Sequence, residues 1–135
     1  IVRVVVMMVI VRQFISDDDV IAQAKAEDST RAVQAMRKAH RLGLLDGAIV
    51  GIGNAPTALI ELVHLIREEG ARPALVIGMP VGFVSAAESK TLLAAQQDVP
   101  WIISEGRKGG STLVVAALHA FLSLAEARQR EVKAA

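Results

Sequence analysis

The 135 residues include no cysteine and no tyrosine, one tryptophan, three phenylalanines and four prolines. Without cysteine there is no disulfide framework, no thiolate metal site and no cysteine nucleophile, a composition compatible with a reducing cytoplasm, which is the expected location. No surplus of charge exists either: 15 basic and 14 acidic residues are intermixed, leaving a net charge of +1. With no basic stripe and almost no rings on which bases could stack, nucleic acid is not an expected partner. Long hydrophobic runs are missing as well. The most apolar block, Ile1 to Val11, is about half the length of a spanning helix and carries Arg3, and later apolar stretches are broken by Asp46, Glu61, Arg67 and Lys90, so no membrane partner is expected.

What is present suffices for a core, since 53% of the residues are hydrophobic in a length that suits one domain. The chain is organised around Gly47 to Leu59, where a buried strand, a glycine turn and a helix start follow one another. Ala48, Ile49, Val50 and Ile52 form an apolar run without alternation, as in a parallel strand covered on both faces. Gly51 and Gly53 permit a sharp turn and close approach of a ligand. Pro56 is pre-set for a first helical turn that Asn54 can cap, predicting a helix from Pro56 to Glu69 with Gly70 as its stop. The free N–H groups of that first turn favour carboxylate or phosphate.

Two further units repeat the pattern. Ala74 to Ile77 is a strand that runs into Gly78–Phe83 and then a helix, for which Ser85 and Glu88 have capping-box spacing and on which Lys90 lies. Pro100 to Ser104 is a third strand, Glu105–Gly110 its turn, and Ser111 to about Arg128 the closing helix, followed by a tail over 129–135 expected to fray. Upstream, Ile1 to Ile15 is rich in Val and Ile and reads as an extended segment with a strand. Ser16 and Asp19 have capping-box spacing for a helix over Val20–Ala26, and Arg31 opens a second helix that ends near Gly43. The three aspartates at 17–19 read as a solvated helix start rather than a metal site. Strands alternating with helices specify an α/β fold: an open, mainly parallel sheet of four or more strands flanked by helices, a Rossmann-like three-layer arrangement. The loops Gly51–Pro56, Gly78–Phe83 and Gly106–Ser111 then line one crevice at the carboxyl edge of the sheet.

These loops read Gly53-Asn-Ala-Pro-Thr-Ala-Leu59, Pro80-Val-Gly-Phe-Val84 with Ala87-Glu-Ser-Lys90, and Gly106-Arg-Lys-Gly-Gly-Ser111. In order and spacing they resemble the precorrin-8X methylmutases (precorrin isomerases, with their cobalt-precorrin-8 counterparts) of cobalamin biosynthesis. The resemblance extends upstream through Ile15-Ser-Asp and Thr30-Arg31, and covers residues 10 to 125. It implies a single precorrin-isomerase-like domain over 1–135, homodimeric assembly, and a methyl shift from C11 to C12 of a corrinoid ring that yields hydrogenobyrinic acid or the cobalt-containing cobyrinic acid. The shift is a suprafacial 1,5-sigmatropic rearrangement that calls for ring protonation and no organic cofactor. The substrate-binding residues it implies are Thr30, Arg31, Gly53, Asn54, Ala55, Pro56, Thr57, Pro80, Val81, Gly82, Phe83, Ser89, Lys90, Arg107, Lys108, Gly109, Gly110 and Ser111. A ring fringed with carboxylates needs the helix N-termini, Arg31, Arg107 and Lys108 at its rim, with Val81 and Phe83 against its apolar face.

One departure stands out. The resembling enzymes use an N-terminal histidine as general acid, in a segment that precedes everything matched here, so the chain reads as N-terminally incomplete or as a shortened homologue. His40, His64 and His119 fall within helical patterns and read as structural. Two rival functions remain. A nucleotide-binding oxidoreductase is suggested by Gly51-x-Gly53 but fails at Pro56, where the third glycine belongs. A non-catalytic corrinoid-binding protein would keep the loops and lack the acid.

Overall fold

The computed structural model describes residues 11–135. Most of the strand expected over Ile1 to Ile15 lies outside the described residues, and residues 11–14 have no regular structure. Three parallel strands, β1 (Ile49–Ile52), β2 (Leu75–Gly78) and β3 (Trp101–Ile103), lie side by side in chain order. Ile49 pairs with Leu75 and Ile52 with Gly78, while Val76 pairs with Trp101. The expected four or more strands are thus three among the described residues. Five helices complete the fold: α1 (Asp18–Ala26), α2 (Arg31–Arg41), α3 (Pro56–Glu68), α4 (Ala86–Ala95) and α5 (Ser111–Ala134).

Alternation along the strands sends side chains to two separate cores. Val50, Ile52, Val76 and Ile103 join Leu59, Leu62, Ile66 and Leu93 of α3 and α4. Leu75, Ile77 and Ile102 face the other way, against Val114 and Leu118 of α5. Helices therefore cover both faces of an open parallel sheet, the three-layer α/β arrangement that the uninterrupted apolar strands imply. The small outer pair α1 and α2 is fastened by charge: Lys38 Nζ donates to Asp17 and Asp19 at 2.7 Å each, and Arg37 joins Glu27 (3.1 Å) and Glu61 (2.7 Å).

Several helix ends differ from the sequence expectation. Thr30 caps α2, its Oγ1 accepting from Val33 N–H at 3.1 Å. The Ser16–Asp19 box does not form, because Asp17 occupies the cap position and Asp19 is drawn to Lys38. Ala55, not Asn54, stands at the cap of α3 ahead of Pro56. Ser85 adopts a left-handed φ of 60°, which leaves its side chain with no cap bond and dissolves the Ser85–Glu88 box. Gly70, with φ of 74°, ends α3 as expected.

The closing helix runs to Ala134, through most of the tail over 129–135, where Ala, Glu, Arg, Gln and Lys propagate helix well and Glu126 faces Arg130 at i,i+4. By length and composition α5 is long and apolar enough to cross a membrane, alone among the described helices, which the interrupted runs in the sequence did not suggest. Its first half is nevertheless built into the α/β layers through Val114 and Leu118.

The α1–α2 fastening gives an acid dependence. Hydrogen bonding from Lys38 holds Asp19 below the ordinary aspartate range, and hydrogen bonds from Gln23 and Gln34 do the same for Glu27. A carboxylate depressed by folding stabilises above its unfolded pKa, and that contribution is lost as pH falls through the folded value. Amide exchange is expected to show α1 opening ahead of α3 and α4 as pH drops from about 5 to about 2. Equal protection of α1 at both ends of that range would contradict the assignment.

Candidate functional site

Because the three strands are parallel, their carboxyl ends share one edge, and the loops that leave them meet there. Met79 N–H donates to the Ile52 carbonyl at 2.8 Å, and Gly110 N–H donates to the Met79 carbonyl at 2.9 Å. Gly82 N–H donates to the Arg107 carbonyl at 3.1 Å. The loops are therefore stitched to one another by backbone bonds. Two glycines make this possible by close approach. A Cβ on Gly53 would stand 2.5 Å from the Ser111 backbone, and one on Gly109 would collide with the Met79 carbonyl oxygen. At these positions the neighbour that requires glycine is another loop of the same chain, not a ligand.

Three helix N-termini converge on the first loop. Thr30 Oγ1 at the start of α2 lies 3.3 Å from Thr57 Oγ1 at the start of α3, and Ser111 at the start of α5 abuts Gly53. Arg31, Asn54 and Thr57 are exposed beside this junction, with Ala55 and Pro56 half-buried. Convergent first-turn N–H groups favour anions there. The second and third loops supply the rest. The Arg107 guanidinium lies 5.5 Å from the centre of the Phe83 ring, whose residue is 85% exposed, and Val81, Val84 and Lys108 are exposed around the pair. Pro80 is buried beneath them.

Ser89 and Lys90, both expected at the substrate, are 0% and 1% exposed. The Ser89 hydroxyl donates to the Ala86 carbonyl at 2.9 Å. Lys90 Nζ reaches back into the third loop, to Ser104 Oγ (3.3 Å) and to the carbonyls of Gly106 (2.8 Å) and Lys108 (2.6 Å), and burial pushes its pKa down. The family resemblance, through the Ala87–Lys90 motif, put both residues at the substrate, whereas their side chains are buried beneath the crevice.

A cavity of about 690 Å³ was not foreseen. It runs along the outer side of β1, lined by Phe14, Met36 and Leu45, and reaches the site at Gly53, Asn54 and Ser111. Its signal in the sequence is faint, since Phe14 and Met36 read as ordinary apolar positions. The cavity touches the site through the first loop and Ser111, while neither Arg107 nor Phe83 lines it. The histidines lie elsewhere. His40 and His64 approach the Glu69 carboxylate at 3.2 and 3.9 Å, at the far end of α3, and His119 is exposed on α5.

A sequence profile of precorrin-8X methylmutases matches residues 3–124. The chain belongs to the precorrin-8X methylmutase family. It is 52% identical over 120 residues to the cobalt-precorrin-8 methylmutase of Leptospira interrogans, covering 85% of this chain and 54% of that protein. It is 57% identical over 116 residues to the cobalt-precorrin-8 methylmutase of Priestia megaterium, covering 86% of this chain and 50% of that one. The crystal structure of precorrin-8X methylmutase from Thermus thermophilus superposes with a TM-score of 0.76 at 61% identity, over 83% of this chain and 52% of that chain. The chain thus spans about half the length of the relatives it matches. All of these relatives are named methylmutases, which gives the non-catalytic alternative no support. In this methylmutase-family chain all three loop motifs lie within residues 3–124, the span that the family profile matches.

Proposed function

We propose that this chain provides the substrate-holding loops of an isomerase of corrin ring biosynthesis, which moves a methyl group from C11 to C12 of precorrin-8X or cobalt-precorrin-8. The observation that carries the reading is the meeting of three helix N-termini with the exposed Arg107–Phe83 pair at one sheet edge. Carboxylates at the ring's rim pair with Arg31, Arg107 and Lys108 and with the first-turn N–H groups of α2, α3 and α5. The apolar ring face lies on Val81 and Phe83. Thr30, Asn54, Thr57, Gly82, Gly110 and Ser111 shape the walls, while Gly53, Gly109 and Pro80 hold the loops together. Ser89 and Lys90 support rather than touch the ligand. The setting is cytoplasmic, in keeping with a cysteine-free chain.

Arg107 tests the rim. Its planar fork can take two oxygens of one carboxylate, so Arg107→Ala is expected to weaken binding of hydrogenobyrinic acid by about 1.5–3 kcal/mol, as for a charge-assisted bond. Spectrophotometric titration of both proteins measures it. Equal affinities would remove Arg107 from the site.

The partner is a second copy of the chain. Leu113, Phe121, Leu124 and Val132 of α5 are exposed and fall on one side of the helix, an apolar surface long enough to pack against its own copy. Light scattering at about 50 μM, a concentration at which a dimer of micromolar affinity is well populated, is expected to give twice the chain mass. A monomer at that concentration would contradict the homodimer.

A further inference from the structure

Lys90 is a buried cation whose three hydrogen-bond acceptors are all neutral, and each of them belongs to the third loop. Ser104 Oγ also donates to the Lys108 carbonyl at 2.7 Å, so the ammonium and the hydroxyl close a knot at the base of the turn. Burying a charge this far is costly unless its donors are filled, and here they are filled by the turn. With the carbonyls of Gly106 and Lys108 drawn inward, the Arg107 side chain between them projects outward over Phe83, and the Arg107 carbonyl is free to accept from Gly82. An apolar side chain at position 90 would fill the same space and remove the ammonium from both carbonyls, leaving that of Lys108 with the Ser104 hydroxyl as its side-chain donor.

We propose that Lys90 is a positioning residue, whose ammonium shapes the Ser104–Gly109 turn and thereby aims Arg107 at the substrate. It acts through Arg107 and touches no ligand. For its ligand the inference rests on the corrinoid reading above, but for the loop it does not.

The test is a double-mutant cycle read by titration with hydrogenobyrinic acid, together with amide exchange without ligand. Lys90→Met is expected to weaken binding by about 10- to 100-fold in the native background and by less than about 3-fold when Arg107→Ala is already present. It is also expected to speed exchange of the Gly109 and Gly110 amides by at least about 10-fold, with α3 unchanged. Equal losses in both backgrounds, or faster exchange spread over the whole chain, would show a merely structural residue and overturn the proposal. If Lys90→Met does not fold, Ser104→Ala removes one acceptor, and a loss of about 3- to 10-fold that vanishes with Arg107→Ala is expected, an additive loss being contrary. Should the native chain bind no hydrogenobyrinic acid, the corrinoid reading fails, while the exchange of Gly109 and Gly110 still decides the role of Lys90.

Discussion

Given precorrin-8X, the 135-residue chain is expected to form product about 10²–10⁴ times more slowly than the precorrin-8X methylmutase of Thermus thermophilus, the usual effect of lacking a positioned general acid. The resemblance implies a shift that calls for protonation of the ring by an N-terminal histidine. No histidine precedes His40 in this chain. Helical rise places the others out of reach. His64 lies eight residues beyond Pro56, about 12 Å along α3, and His119 lies the same distance along α5 from Ser111. His40 is bound to Glu69, past the far end of the 13-residue α3, about 20 Å from the loops. A stopped assay with precorrin-8X and separation of hydrogenobyrinic acid measures the rate. A rate equal to the relative's would show that one of these histidines, or another acid, reaches the ring.

Gly109→Ala is expected to cost about 3 kcal/mol or more of stability, at the upper end of what overpacking a filled site costs, and to abolish corrinoid binding with it. A Cβ there meets the Met79 carbonyl oxygen and the Pro80 backbone, which cannot swing aside as a side chain would. Relief requires the second and third loops to separate, and the Gly110–Met79 and Gly82–Arg107 bonds break as they do. The Arg107–Phe83 pair is lost in the same movement. Urea unfolding followed by titration distinguishes the two effects. A variant with native stability would mean that the loops are not packed against each other as described. By contrast, Gly106→Ala meets no atom within 4 Å and carries only the strain of its φ of 73°.

The layers were readable because their signals are local and repeated. Each strand is an unbroken apolar run, each is followed within a few residues by glycine or proline, and Pro56 and Gly70 mark the two ends of α3. Parallel strands then oblige the loops to share an edge, so the crevice follows from topology before any side chain is placed. The remainder depends on contacts between distant segments. Ser85 has the right neighbour for a capping box, yet the chain reaches it with a left-handed φ. Asp19 has a choice between a helix cap and Lys38, nineteen positions on, and only folding reveals which is nearer. Lys90 and Ser89 belong to a motif that resembles substrate contacts, and nothing in their spacing shows that α4 turns them inward. The β1 cavity is assembled from residues of four segments, none of which marks it alone.

The central claim is that these loops hold a corrinoid by its carboxylates without help from the rest of a full-length relative. Titrating the 135-residue chain with hydrogenobyrinic acid, followed by the corrinoid absorption bands, tests it most directly. The claim predicts saturable binding of one ligand per chain that weakens as salt screens the rim charges. Absence of any saturable change up to about 1 mM ligand, the range in which even weak specific sites fill, would contradict it.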